Sequence, residues 1–236
     1  MMLYPLPKKI QLLSSQAKWS LNTTECVLAL VGLDALHALD GWGESELYLN
    51  VRQIINKAKS LEISIIHINQ NDVIQGMMLL GEQLSQKKQL IVAGLVSAQT
   101  KQLLEYLTSV TEQICIVNDA IYLNSQDEHM QWINSISQQK WHHMNSYSLM
   151  RLWSLSAPKD FILSAKGILF AVAEHLDLEP LEIDPTIDLR LLGLDSVAMV
   201  ELVSLWHVNG AKITYDLFDK NCSIKQLMQC LASEMN

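Results

Sequence analysis

Leu191-Leu192-Gly193-Leu194-Asp195-Ser196, running directly into Val197–Trp206, is the stretch around which the rest of the chain is organised. Gly193 permits backbone angles that a side chain would forbid. Asp195 is placed to cap a helix by accepting from its free N–H groups. Beyond it, Met199, Leu202, Val203 and Trp206 keep the i, i+3, i+4, i+7 spacing of one buried stripe. Ser196 falls at the edge of that stripe, on the first turn of the predicted helix. The arrangement presents one hydroxyl on a rigid platform, at a helix end that favours a negative group.

Working outward, 236 residues leave room for one large domain or two modest ones, and 49% apolar composition supplies proper cores. The net charge of −8 argues against nucleic acid or an anionic membrane surface as partner. Its distribution is uneven. Residues 1–156 carry 13 acids and 11 bases, residues 157–236 carry 12 acids and 6 bases, so the smaller C-terminal part holds most of the negative field. Such a field suits a module that meets basic partner surfaces. Four cysteines, Cys26, Cys115, Cys222 and Cys230, show no C-x-x-C spacing and read as reduced thiols, with no metal site. No apolar run approaches a membrane span. The start, with charge after its apolar residues and two prolines, does not read as a signal peptide, so the expected location is the cytoplasm.

The N-terminal part alternates between two periodicities. Val27–Leu33, Ile63–Ile68, Leu90–Leu95 and Ile114–Val117 are apolar runs of the kind found in strands buried on both faces. Between them, Ser45–Leu61, Val73–Leu84 and Ala98–Leu107 carry helical spacing. Ser125-Gln126-Asp127-Glu128 is a capping box opening a helix over His129–Ile136, and a short strand and short helix are expected within Trp141–Trp153. His142-His143 lacks partners at ligand spacing and reads as surface. This alternation predicts a parallel sheet with helices on both faces, an α/β three-layer domain over residues 1–153.

Residues 154–160, with Ser156-Ala157-Pro158, form the expected linker. Beyond them the strand signal disappears. Phe161, Ala165, Ile168, Leu169, Val172 and Leu176 mark a first helix, followed by a long loop with Pro180 and Pro185. After the Ser196 helix comes a short helix around Tyr215–Phe218, and a second capping box, Ser223 to Gln226, opens the last. Residues 161–236 are thus an all-α, four-helix domain.

Leu192-Gly193-Leu194-Asp195-Ser196 resembles the 4′-phosphopantetheine attachment motif of carrier proteins. The segment from Phe161 onward, with Ile213, Tyr215 and Lys220-Asn221, resembles an aryl carrier protein. Within that class it is most similar to the C-terminal half of the bifunctional isochorismatase/aryl carrier proteins of catecholate siderophore synthesis. The resemblance implies a covalent 4′-phosphopantetheine on Ser196, with Gly193, Leu194 and Asp195 forming the attachment turn. It implies three partners: a phosphopantetheinyl transferase, an aryl-acid adenylating ligase that loads 2,3-dihydroxybenzoate or salicylate, and the condensation domain of a nonribosomal peptide synthetase. In the resembling carriers the condensation partner meets the Ser196 helix and the short helix after it. Val200 is left over by the core stripe. Tyr215 and Phe218, three apart on a short element, cannot both be obligatory core. Val200, Tyr215 and Phe218 are therefore the expected partner surface.

The N-terminal domain resembles the isochorismatase-like hydrolases. The likeness rests on Tyr4-Pro5-Leu6-Pro7 and Trp19, on Ile91–Val96, and on Asn118-Asp119-Ala120 with Ser125–His129. That family places an aspartate, a lysine and a nucleophile turn at the strand C-termini. Asp34 sits at the aspartate position and Thr100 at the nucleophile turn. The lysine is missing: Asn69–Gln89 is one short crossover whose lysines, Lys87 and Lys88, stand directly before the next strand and read as a solvated turn. A threonine without a nearby base is a poor nucleophile. The expectation is a decayed hydrolase kept as scaffold, docking platform or dimerisation surface, with Asp34 and Thr100 vestigial. The alternative is an active bifunctional enzyme that converts isochorismate to 2,3-dihydro-2,3-dihydroxybenzoate and pyruvate.

Overall fold

A computed structural model of the chain describes residues 3–7, 17–218 and 222–234. It divides into two compact units, Met1–Ala58 with Glu62–Ser156, and Lys59–Leu61 with Ala157–Asn236.

The first unit is built on β1 (Cys26–Val31), α1 (Leu33–His37), α2 (Glu46–Ser60), β2 (Ser64–Ile68), α3 (Val73–Gln86), β3 (Gln89–Leu95), α4 (Ala98–Leu107), β4 (Gln113–Tyr122), α5 (Gln126–Ile136), β5 (His142–Met144) and α6 (Ser146–Ser156). Five strands pair in parallel in the order β2-β1-β3-β4-β5. Every residue of β1 is buried, as its uninterrupted apolar run predicts. Val27, Ala29 and Val31 share a core with Leu80 of α3, Leu103 and Leu104 of α4, and Ile133 of α5. Alternate residues point the other way. Leu28, Leu30, Ile91 and Cys115 are equally buried on the opposite face, where α2 and α6 contribute Val51, Ile54, Leu149 and Trp153. The unit is an α/β sheet with helices on both sides.

The strand order reverses direction between β1 and β3, the place where open α/β sheets hold ligands outside their strand ends. Here that place is tight. Val31 pairs with Gly94, which has φ +110°, and a Cβ at Gly94 would lie 2.1 Å from the Val31 carbonyl oxygen. Gly32, just beyond β1, lies directly under the Leu95 side chain, which a Cβ there would meet at 3.0 Å.

Three expectations for this unit are corrected. Asn118-Asp119-Ala120 does not follow β4 but lies inside it. Val92 faces Ile116 and Gly94 faces Ile121, so Ala93 alone stands opposite Val117–Ala120 and the strand bulges before it resumes. His143 is buried instead of superficial, because it sits beside Ile116 in the β4–β5 register and shares that residue's inward face. The linker expected over 154–160 shrinks to Ala157 and Pro158. Buried Trp153 holds α6 in place as far as Ser156, and Pro158 stands at the N-cap of α7 (Lys159–Ile162).

The second unit continues with α8 (Ala165–Leu176), α9 (Ser196–Val208) and α10 (Ile224–Glu234), with short 3-10 turns at Pro180–Glu182 and Tyr215–Phe218. The single first helix expected from Phe161 onward is two, because Ser164 caps α8 by accepting from the Gly167 N–H. Ile168, Val172, Leu189, Leu202, Trp206, Ile224 and Leu227 form its core. Met199 and Trp206 are buried as the spacing requires, whereas Val203 is half-buried. Ser223 and Gln226 form the expected reciprocal cap of α10. Lys220-Asn221 lies outside the described residues.

Among the described residues no helix is long and apolar enough to cross a membrane. All four cysteines are free.

Candidate functional site

The loop from Asp188 to Asp195 delivers Ser196 to the start of α9, and every step of it is tied down. Leu189 and Leu194 are buried on either side of the turn. The Leu194 N–H donates to the Leu189 carbonyl at 2.9 Å, and the Leu189 N–H donates to the Cys222 carbonyl at 2.9 Å, anchoring the loop to the segment before α10. Asp188 accepts from the Arg190 backbone N–H and from its guanidinium, which holds the Asp188 carboxyl below the usual carboxylate range. Gly193 closes the turn at φ +105°, donating its N–H to the Arg190 carbonyl at 3.1 Å. Nothing lies within 4 Å of where its Cβ would be, so the glycine is required by backbone angle alone.

Asp195 occupies the N-cap of α9 with extended backbone, and its carboxylate accepts from the Ala198 N–H at 2.8 Å. Ser196 is the first helical residue and is exposed. Its hydroxyl makes no hydrogen bond among the described residues. It is a group available to be modified by an enzyme that brings its own base, and α9, at thirteen residues, is long enough to orient a dipole toward an anion placed there.

The flanking surface separates cleanly into inside and outside. Val200 is 53% exposed and Val197 and Leu191 are also exposed. Tyr215 is 39% exposed, with its hydroxyl 3.9 Å from the Met199 sulfur. Phe218, expected on the partner surface, is only 2% exposed and belongs to the core. The 3-10 turn of Tyr215–Phe218 directs one ring inward and leaves the other at the rim, their centroids 6.3 Å apart.

The positions singled out in the first unit do not assemble. Asp34 lies in the first turn of α1, and both its oxygens stand 3.2 Å from the Gln70 N–H, tying α1 to the chain beyond β2. Thr100 is buried, 3% exposed, and its hydroxyl donates to the Leu95 carbonyl at 2.9 Å while lying 3.1 Å from the Ser97 hydroxyl. It is part of the cap of α4. The Asn69–Gln89 crossover is filled by α3; Lys87 donates to the Thr24 carbonyl at 2.7 Å, and Lys88 is exposed. Sequence reasoning passed over Lys101, one residue past Thr100. Its ammonium is paired with Glu128 at 2.7 Å, and this contact is the main cause that holds the Glu128 carboxyl low. The only signal for it was a lysine in the first turn of α4. Among the described residues no group of three or more His, Cys, Asp or Glu is placed to hold a metal ion.

Residues 166–231 match the protein-family profile described as Phosphopantetheine attachment site. No curated protein matches the chain. The second unit therefore contains a phosphopantetheine-binding carrier domain, a site for 4′-phosphopantetheine attached covalently to a serine. The α9 N-terminus fits such a group: a free exposed hydroxyl, open space over Gly193 and a helix end facing the phosphodiester position.

Proposed function

We propose that the chain is an aryl carrier protein of nonribosomal siderophore synthesis, modified on Ser196. Three serines lie within the matched segment, and their settings differ. Ser223 is buried and engaged with Gln226; Ser204 sits in the middle of α9, away from any turn; Ser196 alone combines exposure, an unbonded hydroxyl and a helix N-terminus. The observation that carries the reading is this hydroxyl on its capped platform.

A phosphopantetheinyl transferase would form the bond between the Ser196 oxygen and the phosphorus of coenzyme A, releasing adenosine 3′,5′-bisphosphate and taking up the serine proton. When bound, the group supplies a thiol that holds an acyl chain as a thioester. Ser196 fixes the origin of the arm, Asp195 fixes the helix end, and Val200 and Tyr215 are available to a partner. The aryl substrate, 2,3-dihydroxybenzoate or salicylate, its adenylating ligase and the condensation domain are inferred from the resemblance of the whole chain to isochorismatase/aryl carrier proteins. The α/β unit serves as scaffold without hydrolase activity. In support, Asp34 is bonded to Gln70, Thr100 is buried, and the crossover that holds the lysine of the resembling hydrolases is occupied by α3.

Intact-mass measurement after incubation with a phosphopantetheinyl transferase and coenzyme A tests the assignment. One phosphopantetheine should be gained by the wild type and none by Ser196→Ala. Modification persisting in Ser196→Ala would defeat the choice of serine. An adenylating ligase that loads only aliphatic amino acids onto the modified protein would defeat the aryl assignment alone.

A further inference from the structure

Residues 209–214 carry the chain from α9 to the 3-10 turn of Tyr215–Phe218. The first half of this crossing is held by its own backbone. Gly210, at φ +101°, donates its N–H to the His207 carbonyl at 2.9 Å, and the Ala211 N–H donates to the Trp206 carbonyl at 3.0 Å. The Asn209 side-chain amide donates back to the Leu205 carbonyl at 2.8 Å. Past Ala211 this ladder stops. Lys212 and Ile213 make no backbone–backbone hydrogen bond among the described residues, and the Thr214 hydroxyl turns to Asp216 of the next element, 3.3 Å away.

Side chains of α9 take over there. His207 donates from Nε2 to the Ile213 carbonyl oxygen, and the Tyr215 hydroxyl lies 3.9 Å from the Met199 sulfur. A carbonyl only accepts, so the proton of the first bond is on the ring nitrogen. The buried Ile213 side chain sets the depth at which the segment lies, but not the rotation of the peptide that follows it. Because a peptide unit is planar, fixing the direction of the Ile213 carbonyl fixes the direction in which Thr214 and Tyr215 leave. His207 acts from the outward face of α9. Val200, Ser204 and His207 keep the i, i+4, i+7 spacing and are all exposed. The residue that orients the Tyr215 segment therefore shares a helix face with Val200.

We propose that His207 is a positioning residue for partner recognition: its bond to the Ile213 carbonyl holds Tyr215 in place before a partner arrives. The inference rests on the reading of Val200 and Tyr215 as the surface offered to the condensation partner. A segment ordered in advance loses less freedom on binding, so the effect belongs to affinity and not to the acyl-transfer step.

Transfer of a 2,3-dihydroxybenzoyl group from the loaded full chain to the condensation domain of a siderophore synthetase tests it, with the carrier concentration varied. His207→Leu keeps the bulk and removes the donor. It should raise the KM for the carrier about tenfold and leave kcat unchanged. His207→Gln brings an amide N–H to the same carbonyl and should restore most of the loss. Backbone NMR order parameters give a readout that needs no partner. Those of Ile213, Thr214 and Tyr215 should stand at about 0.85 in the wild type, drop below about 0.6 in His207→Leu and recover in His207→Gln. Uptake of phosphopantetheine at Ser196, read by intact mass, checks that the carrier unit stays folded. Val200→Asp and Tyr215→Ala keep the two possible failures apart. If they raise KM and His207→Leu does not, the positioning role alone is overturned. If none of the three raises it, the partner surface is misplaced and the proposal falls with it. A loss in His207→Leu that His207→Gln does not recover also overturns it, since the bond to Ile213 would not be the cause.

Discussion

The hydroxyl of Tyr4 lies 3.1 Å from Nδ1 of His129, and the other nitrogen of that buried ring lies 3.0 Å from the Asn118 carbonyl oxygen. A carbonyl only accepts, so Nε2 carries the proton and Nδ1 accepts from Tyr4. The same tyrosine oxygen accepts from the Leu123 N–H at 3.0 Å, and the ring stacks on Tyr122 with centroids 4.2 Å apart. Burial pushes the Tyr4 hydroxyl up to about 12, so it stays a donor at all ordinary pH. One side chain thereby fastens residues 3–7 to the end of β4. Tyr4→Phe keeps the stack but leaves the Leu123 N–H and His129 Nδ1 unpaired. It should cost about 1–3 kcal/mol of stability, read by urea denaturation at neutral pH.

His129 and His143 are both buried and both held below the ordinary histidine range, chiefly by desolvation. Neither ring nitrogen of His143 has a hydrogen-bond partner among the described residues. The folded state therefore keeps both rings neutral at pH values where the unfolded chain takes up protons, below about 6.5. Their stabilising contribution is fully present above that pH and is lost as pH falls toward the depressed folded values. Each ring adds a slope of at most about 1.4 kcal/mol per pH unit. Urea midpoints between pH 7.5 and 5 should fall for the wild type and fall less steeply for His143→Phe. A flat profile would show that neither ring titrates as described.

Docking and packing should come apart in the carrier unit. Val200→Asp and Tyr215→Ala alter exposed groups and should leave modification and aryl loading near normal while slowing transfer to the condensation partner by about tenfold. Phe218→Ala empties a core position and should cost about 3–5 kcal/mol. Thermal melts beside transfer rates decide the matter. A large loss of stability in Val200→Asp would mean that packing had been taken for recognition.

Isochorismate should not be turned over detectably by the purified chain. The Asp34 carboxylate is engaged with the Gln70 N–H, and Lys101, the cation nearest the Thr100 turn in sequence, is paired with Glu128. Asp34→Asn should instead lower stability by about 1 kcal/mol, the scale of a charge-assisted hydrogen bond reduced to a neutral one. Release of pyruvate that disappears in Asp34→Asn would restore the bifunctional reading.

What the sequence determined by itself lay in local patterns. Continuous apolar runs marked β1, β2 and β3 to within two residues, since a strand covered on both faces, as β1 and nearly all of β3 are, leaves little other choice of side chain. The caps at Ser125, Asp195 and Ser223 were equally legible, as was the glycine that Ser196 requires before it, because a cap or a turn is satisfied by neighbours a few residues away. What only the tertiary structure decided were relations between residues far apart in the chain. His142 and His143 look alike in sequence, and the register of β5 against β4 buries one and half-exposes the other. Tyr215 and Phe218 share a turn, and the core beneath them chooses Phe218. The bulge of β4 depends on a mismatch with β3 that no single strand records. Asp34 could be placed beyond β1 from periodicity, but its partner, Gln70, is brought to it by the neighbouring strand. Side-chain chemistry sets what a residue is able to do; strand order and register set what it finds beside it.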